Sequence, residues 1–128
     1  MAYTSRVTTQ RNTLIETPWT LINCGLGDVF TGAQTETMFK QNIDFSDINT
    51  LYVAGAGTEA GGANYNVILK IDTTTKFTQA IAAAPTYFIQ QVDCSAITGA
   101  HDLIIQITSL GGLQPDAYLN VSMWGVIA

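Results

Sequence analysis

The sequence predicts an all-β fold, a two-sheet antiparallel β-sandwich of eight or nine strands, and three observations predict it. Short apolar runs recur about every ten residues and are separated by turns rich in Gly, Asp, Thr and Pro, as in sandwiches. Several runs alternate apolar and polar residues with period two, and no segment sustains the 3.6-residue period of an amphipathic helix. Only 12% of the residues are charged, against roughly 25% in ordinary soluble domains. The polar surface therefore rests on Thr, Ser, Asn and Gln, and β-branched Thr suits a pleated, half-buried surface.

Each element follows in chain order. Residues 1–12 are polar and Thr-rich and carry Arg6 and Arg11; they read as an arm ahead of one domain spanning 13–128. Residues 19–24 form a first strand, closed by Gly25-Leu26-Gly27-Asp28. Residues 37–41 and 50–54 form the next two. The Gly-rich run 55–62 reads as a long exposed loop. Residues 64–72 alternate, with Tyr65, Val67, Leu69 and Ile71 turned to the core and Asn64, Asn66 and Lys70 to solvent. A hairpin turn over 72–76 leads into a weaker strand, 76–81. Residues 82–84 start a helical turn that Pro85 breaks. Residues 86–92 form a strand and 95–98 a turn before Gly99. Residues 103–108 form a strand with Leu103, Ile105 and Ile107 on one face, and 110–116 a loop. In the last strand, 117–127, Leu119, Val121, Met123 and Ile127 share one face. Tyr118, Asn120, Ser122 and Trp124 share the other. A jelly roll is the expected arrangement, because two wrapped sheets protect their edges better than one open sheet.

Charge narrows the partners. The net charge is −5, and the five basic residues, Arg6, Arg11, Lys40, Lys70 and Lys76, are scattered. Nucleic acid requires clustered cations, and so does an anionic membrane; neither is an expected partner. No apolar run approaches the length of a bilayer span. The N-terminus lacks the charged-then-apolar pattern of a signal peptide, so synthesis in a cytoplasm is expected. Cys24 and Cys94 are then free thiols, with a single bridge between them as the alternative.

No residue set carries catalysis. His101 is the only histidine. Asp102 beside it points to the opposite face of a strand, so a hydrogen-bonded turn histidine is expected. A Cys24 or Cys94 nucleophile would need the same imidazole. Asp44, Asp47, Asp93, Asp102 and Asp116 read as turn-capping carboxylates rather than a glycosidase pair. Asp28 and Asp116 offer a calcium alternative. Neither Gly25–Asp28 nor the run 55–62 has the Lys and following helix of a phosphate loop. No enzyme activity, cofactor or metal is expected. Trp19, Tyr52, Tyr87, Tyr118 and Trp124 are the available stacking surfaces, and Tyr118, Asn120 and Trp124 form the candidate ligand or partner patch. That patch stacks on a sugar ring, or packs on the second sheet or a neighbouring subunit.

The stretch Val92-Asp93-Cys94-Ser95-Ala96-Ile97-Thr98-Gly99-Ala100-His101-Asp102-Leu103-Ile104-Ile105 resembles the penultimate strand–turn–strand of galactose-binding-like jelly rolls. Asp93, Gly99, His101 and Leu103 carry the match. Residues 43–53 look like the earlier strand pair and residues 65–72 like the next strand, so the resemblance covers roughly 43–127. It implies a jelly-roll sandwich of the kind used by many carbohydrate-binding modules and, without a binding face, by building blocks of phage heads and tails. The resulting expectation is a bacteriophage virion structural protein, made in the host cytoplasm. A capsid decoration (cement) protein that bridges subunits is the leading form. The low charge suits a surface that meets other protein. Partners would be the major capsid protein or tail subunits. The chain would be a homo-oligomer, a trimer first, with Thr4, Arg6, Arg11, Thr58 and Glu59 as subunit contacts. The alternative is a carbohydrate-binding module or an adhesin or tail-fibre domain, holding a glycan on Tyr118, Asn120 and Trp124.

Overall fold

The period-two alternation builds eight strands. The computed structural model describes residues 19–58, 65–82, 85–113 and 117–127. The strands are β1 (Trp19–Gly25), β2 (Gln34–Asp44), β3 (Ile48–Thr58), β4 (Tyr65–Ile71), β5 (Thr74–Ile81), β6 (Thr86–Asp93), β7 (Ala100–Ser109) and β8 (Tyr118–Ile127). They form two four-stranded antiparallel sheets, β1-β8-β3-β6 and β2-β7-β4-β5, here called sheet A and sheet B. Four of the pairings, β1 with β8, β2 with β7, β3 with β6 and β4 with β5, are those of one long hairpin folded at β4–β5. The pairings β3 with β8 and β4 with β7 roll that hairpin into a sandwich. This is the predicted jelly roll.

The core lies where the alternation points inward from both sheets. Leu51 and Val53 of β3 and Leu119, Val121 and Met123 of β8 face Val67 and Leu69 of β4 and Leu103, Ile105 and Ile107 of β7, all fully buried. Phe30 and Phe45, from the connections flanking β2, and Tyr65 close the ends. Burying so many large apolar side chains, at roughly 1.5–3 kcal/mol each, is the main favourable term. Gln90 Nε2 donates to Gln79 Oε1 at 2.8 Å, tying β6 at the edge of sheet A to β5 at the edge of sheet B.

Three boundaries differ from expectation. The run from Gly55 onward is strand as far as Thr58, not loop. A Cβ on Gly57 would lie 2.5 Å from Tyr65 Oη, and one on Gly55 would lie 2.6 Å from Phe88 Cζ. These glycines make room for two aromatic rings inside a strand; they do not form a turn. The hairpin turn is shorter than 72–76. Ile71 pairs with Thr74, leaving only Asp72 and Thr73, and Asp72 takes the left-handed φ of 55° that Asp tolerates better than most residues. Strand β2 is eleven residues rather than five, because its polar positions are held by β7 through Thr35–Thr108 and Gln106–Thr37 side-chain bonds. The arm 1–12, residues 83–84 and the loop beyond residue 113 up to Asp116 lie outside the described residues.

Candidate interaction surface

The two outer faces differ sharply in charge. The register places Tyr52 of β3 opposite Trp124 of β8 and Gln91 of β6, Ala54 opposite Ser122 and Ile89, and Ala56 opposite Asn120 and Tyr87. These residues share the solvent side of sheet A, since the intervening Leu51, Val53, Val121 and Met123 are buried. The Tyr52 and Trp124 rings stack with centroids 5.3 Å apart and planes within 7°. Tyr87 is 80% exposed and Ile89 62%. The middle of the face is low, floored by Ala54, Ala56 and Ser122. The only charged side chain the register puts on this face, among the described residues, is Asp93 at the end of β6. Sheet B instead turns Lys40, Lys70 and Asp102 outward, with Thr35, Thr108 and Gln106, an ordinary solvated face.

Tyr118, Asn120 and Trp124 lie on one outward side of β8. Packing of that side on the second sheet is corrected: it points away from sheet B, and Tyr118 is 42% exposed. Sequence reasoning named Tyr52 and Tyr87 without placing them and did not single out Ile89; only the strand register brings these three to the patch. Thr58 is not a loop residue but pairs with Tyr118 at the end of β3. The other predicted contacts, Thr4, Arg6, Arg11 and Glu59, lie outside the described residues. Of the stacking residues, Trp19 pairs with Met123 at the backbone of β1.

A second cluster sits where β7 begins. His101 Nδ1 lies 2.7 Å from Asp72 Oδ2, and Nε2 lies 2.8 Å from the Thr98 carbonyl. Both partners accept, so both ring nitrogens are best matched when each carries a proton. The Asp72 carboxylate, and then the Thr98 carbonyl, raise the His101 pKa above 6.5. The bond from His101, and then the Asp102 N–H, lower that of Asp72. Asp102 N donates to Asp72 Oδ1 at 3.0 Å, and Asp72 N to the Asp102 carbonyl at 2.8 Å. His101 is thus hydrogen-bonded as expected, though on a strand rather than in a turn. Its partner Asp72 comes from 29 residues away and was not legible in the sequence. The cluster clamps the tip of the long hairpin to β7.

Two of the remaining acids cap turns, while Asp102, expected to do so, lies on β7 and bonds across the sheet to β2. Asp44 accepts from Ser46 N, and Asp93 from Ser95 N, each at 2.9 Å. Asp102 accepts from Asn42 Nδ2 at 3.0 Å and lies 3.9 Å from Lys40 Nζ. Among the described residues no group of three or more His, Cys, Asp or Glu is placed to hold a metal ion. Asp116 of the calcium alternative lies outside them. Cys24 and Cys94 are unbridged.

No protein-family model matches the chain, and no curated protein matches it. Among solved structures, VP2 of infectious bursal disease virus, in its subviral particle, aligns with a TM-score of 0.52 and 17% identity over 87% of this chain. The chain spans about a third of that protein's length, 33%. A family 6 carbohydrate-binding module aligns over 77% of this chain and 70% of its own, at 21% identity and a TM-score of 0.43. A CBM4 structure aligns over 91% and 99%, at 14% identity and 0.44. At these identities the VP2 likeness is one of fold.

Proposed function

We propose that the chain is a non-catalytic structural subunit of a virion, a decoration protein of a phage head in its most specific form, made in the host cytoplasm. The observation that carries this reading is the outer face of sheet A. Monomeric proteins rarely present a broad apolar, nearly uncharged face to water. Interface cores combine loss of charge with exposed aromatics in this way. Tyr87, Ile89, Tyr118 and the Tyr52–Trp124 stack would seat on a neighbouring coat subunit, while the polar face of sheet B stays in solvent. The shared fold with VP2, a protein of a viral particle, and the use of jelly rolls in capsids support the same reading. The mechanism is mechanical: a rigid sandwich buries apolar surface across a joint between subunits. Antibody labelling of particles purified from the source tests it. Regular, stoichiometric labelling of the particle surface is expected, and particles free of the chain would overturn the reading.

A second reading is favoured by one observation, the Tyr52–Trp124 stack beside the Gln91 amide, with Asn120 farther along the same face. Stacked rings next to neutral hydrogen-bonding groups suit an uncharged glycan, as in an adhesin. Glycan binding abolished by Trp124→Ala, with the fold intact, would favour this reading over the first.

A further inference from the structure

Three connections meet at one end of the sandwich, and one ring ties two of them together. They are the β2–β3 connection (Phe45–Asp47), the β4–β5 turn (Asp72 and Thr73) and the β6–β7 connection (Cys94–Gly99). His101, near the start of β7, pairs with the fully buried Ile43, so its ring lies on the core side of sheet B. It meets the Phe45 ring edge-on, with centroids 6.2 Å apart. From there Nδ1 reaches Asp72 Oδ2 at 2.7 Å and Nε2 reaches the Thr98 carbonyl at 2.8 Å.

The two partners are held differently. Asp72 is fixed to β7 by more than the ring, because Oδ1 accepts from Asp102 N and its own N–H donates to the Asp102 carbonyl. The Thr98–Gly99 peptide is held by its carbonyl to the ring and by its N–H to Ser46 Oγ at 3.1 Å. Its neighbours are anchored: Ile97 N donates to the Cys94 carbonyl, and the Gly99 carbonyl accepts from Phe45 N. Gly99 itself has a φ of 81°, and a Cβ there would meet nothing within 4 Å. A single peptide between fixed neighbours, next to a glycine that takes either sign of φ in open space, is free to turn over on its own.

We propose that His101 is a proton-operated latch on the Thr98–Gly99 peptide. Doubly protonated, the ring donates to both acceptors. A neutral ring has one N–H and one lone pair. With the hydrogen on Nε2, the Nδ1 lone pair would face a carboxylate. With the hydrogen on Nδ1, the Nε2 lone pair faces only a neutral carbonyl, and the bond that survives is the stronger, charge-assisted one. The neutral ring therefore stays on Asp72, and the Thr98 carbonyl turns away to water. The latch is closed below the folded midpoint of His101 and opens as pH rises through it. The Asp72 carboxylate, first, and the Thr98 carbonyl place that midpoint above 6.5. The charges that act on the ring, Asp72 and Asp102, are both acids. Of the other charged groups at this end, Asp44 is turned to Ser46 N and Asp93 to Ser95 N, while Lys40 lies against Asp102; Asp47 follows Ser46 on the β2–β3 connection. The latch does not depend on the virion reading.

NMR of the full, 15N-labelled chain between about pH 5 and about pH 9 tests it. Above the His101 midpoint the ring should carry its hydrogen on Nδ1 and leave Nε2 bare, the reverse of the tautomer a free imidazole prefers. The Gly99 amide should lose its hydrogen-exchange protection with the same midpoint, once the intrinsic base catalysis of exchange is divided out. The Asp72 and Asp102 amides should keep theirs. Asp72→Asn should give the opposite result. Asn tolerates the left-handed φ, its Oδ1 accepts from Asp102 N, and its Nδ2 donates to a bare Nδ1. The neutral ring then keeps its hydrogen on Nε2 for Thr98, and Gly99 stays protected at high pH. A neutral wild-type ring protonated on Nε2 would overturn the proposal. So would Gly99 protection that ignores the His101 midpoint, or Asp72 and Asp102 amides that open together with it. An Asp72→Asn chain whose Gly99 opens as in the wild type would do the same.

Discussion

Inside β3 the absence of a side chain at residue 57 decides a contact from another element. Tyr65 Oη donates to the Tyr118 carbonyl at 2.8 Å through the space a Cβ on Gly57 would fill, and that Cβ would also lie 3.1 Å from Ile81 Cγ2. Gly57→Ala should destabilise by about 1–3 kcal/mol, the range for an overpacked core. Tyr65→Phe alone should lose about 1 kcal/mol for the hydrogen bond. Because the hydroxyl is what the new methyl meets, Gly57→Ala should cost less in the Tyr65→Phe background. Urea unfolding of the four proteins measures that coupling, and strict additivity would disprove it. The His101–Asp72 pair has a pH signature whose direction is fixed. The raised His101 pKa means its contribution is full below the unfolded value of 6.5 and is lost as pH rises through the folded value. The lowered Asp72 pKa means its contribution is present above 3.8 and is lost as pH falls through the folded value. The clamp is therefore strongest between these limits. As the only histidine, His101 gives one assignable imidazole proton signal. Its NMR titration midpoint should lie above 6.5, and Asp72→Asn should lower it.

At the scale of elements, the legible strands were those whose neighbours agreed with local pattern. In β4, in β7 from Leu103 to Ile107 and in β8 from Leu119 to Met123, every second residue is large and apolar, and the period showed which face is buried. Strand β3 was cut short because Gly55 and Gly57 carry the inward positions, and the side chains filling that space, Phe88 and Tyr65, belong to β6 and β4. Local sequence cannot show a ring donated from elsewhere. The same limit hid the surface. Tyr118, Asn120 and Trp124 were visible on one strand, but Tyr52, Tyr87 and Ile89 joined them only through the β3–β6 and β3–β8 registers. The turn between β6 and β7 makes a prediction of its own. Cys94 is fully buried and its N–H donates to the Asn49 carbonyl at 2.8 Å, so the turn is pinned with the thiol inside. Burial pushes that thiol from 9.0 up to about 11, and the thiolate is the reactive form. Ellman's reagent at neutral to mildly alkaline pH should titrate at most Cys24 in the native protein and both thiols in denaturant. A native Cys94 that reacts as fast as a free thiol would mean the turn opens readily.

For the whole molecule the governing fact is where charge is not. The described lysines lie on or beside sheet B, Lys40 on β2, Lys70 on β4 and Lys76 on β5. Sheet A's outer face and the β6 edge bear Asp93 alone. A complex built on ion pairs weakens when salt screens them, whereas one built on apolar contact and backbone ladders does not. Attachment through the outer face of sheet A should therefore hold steady as salt is raised from about 0.1 M to about 1 M, which shortens the Debye length from ~10 Å to ~3 Å, measured by sedimentation of the chain with particles purified from the source. A steady weakening would mean that ion pairs hold it, and the contact would then have to run through the sheet B face, which carries Lys40 and Lys70.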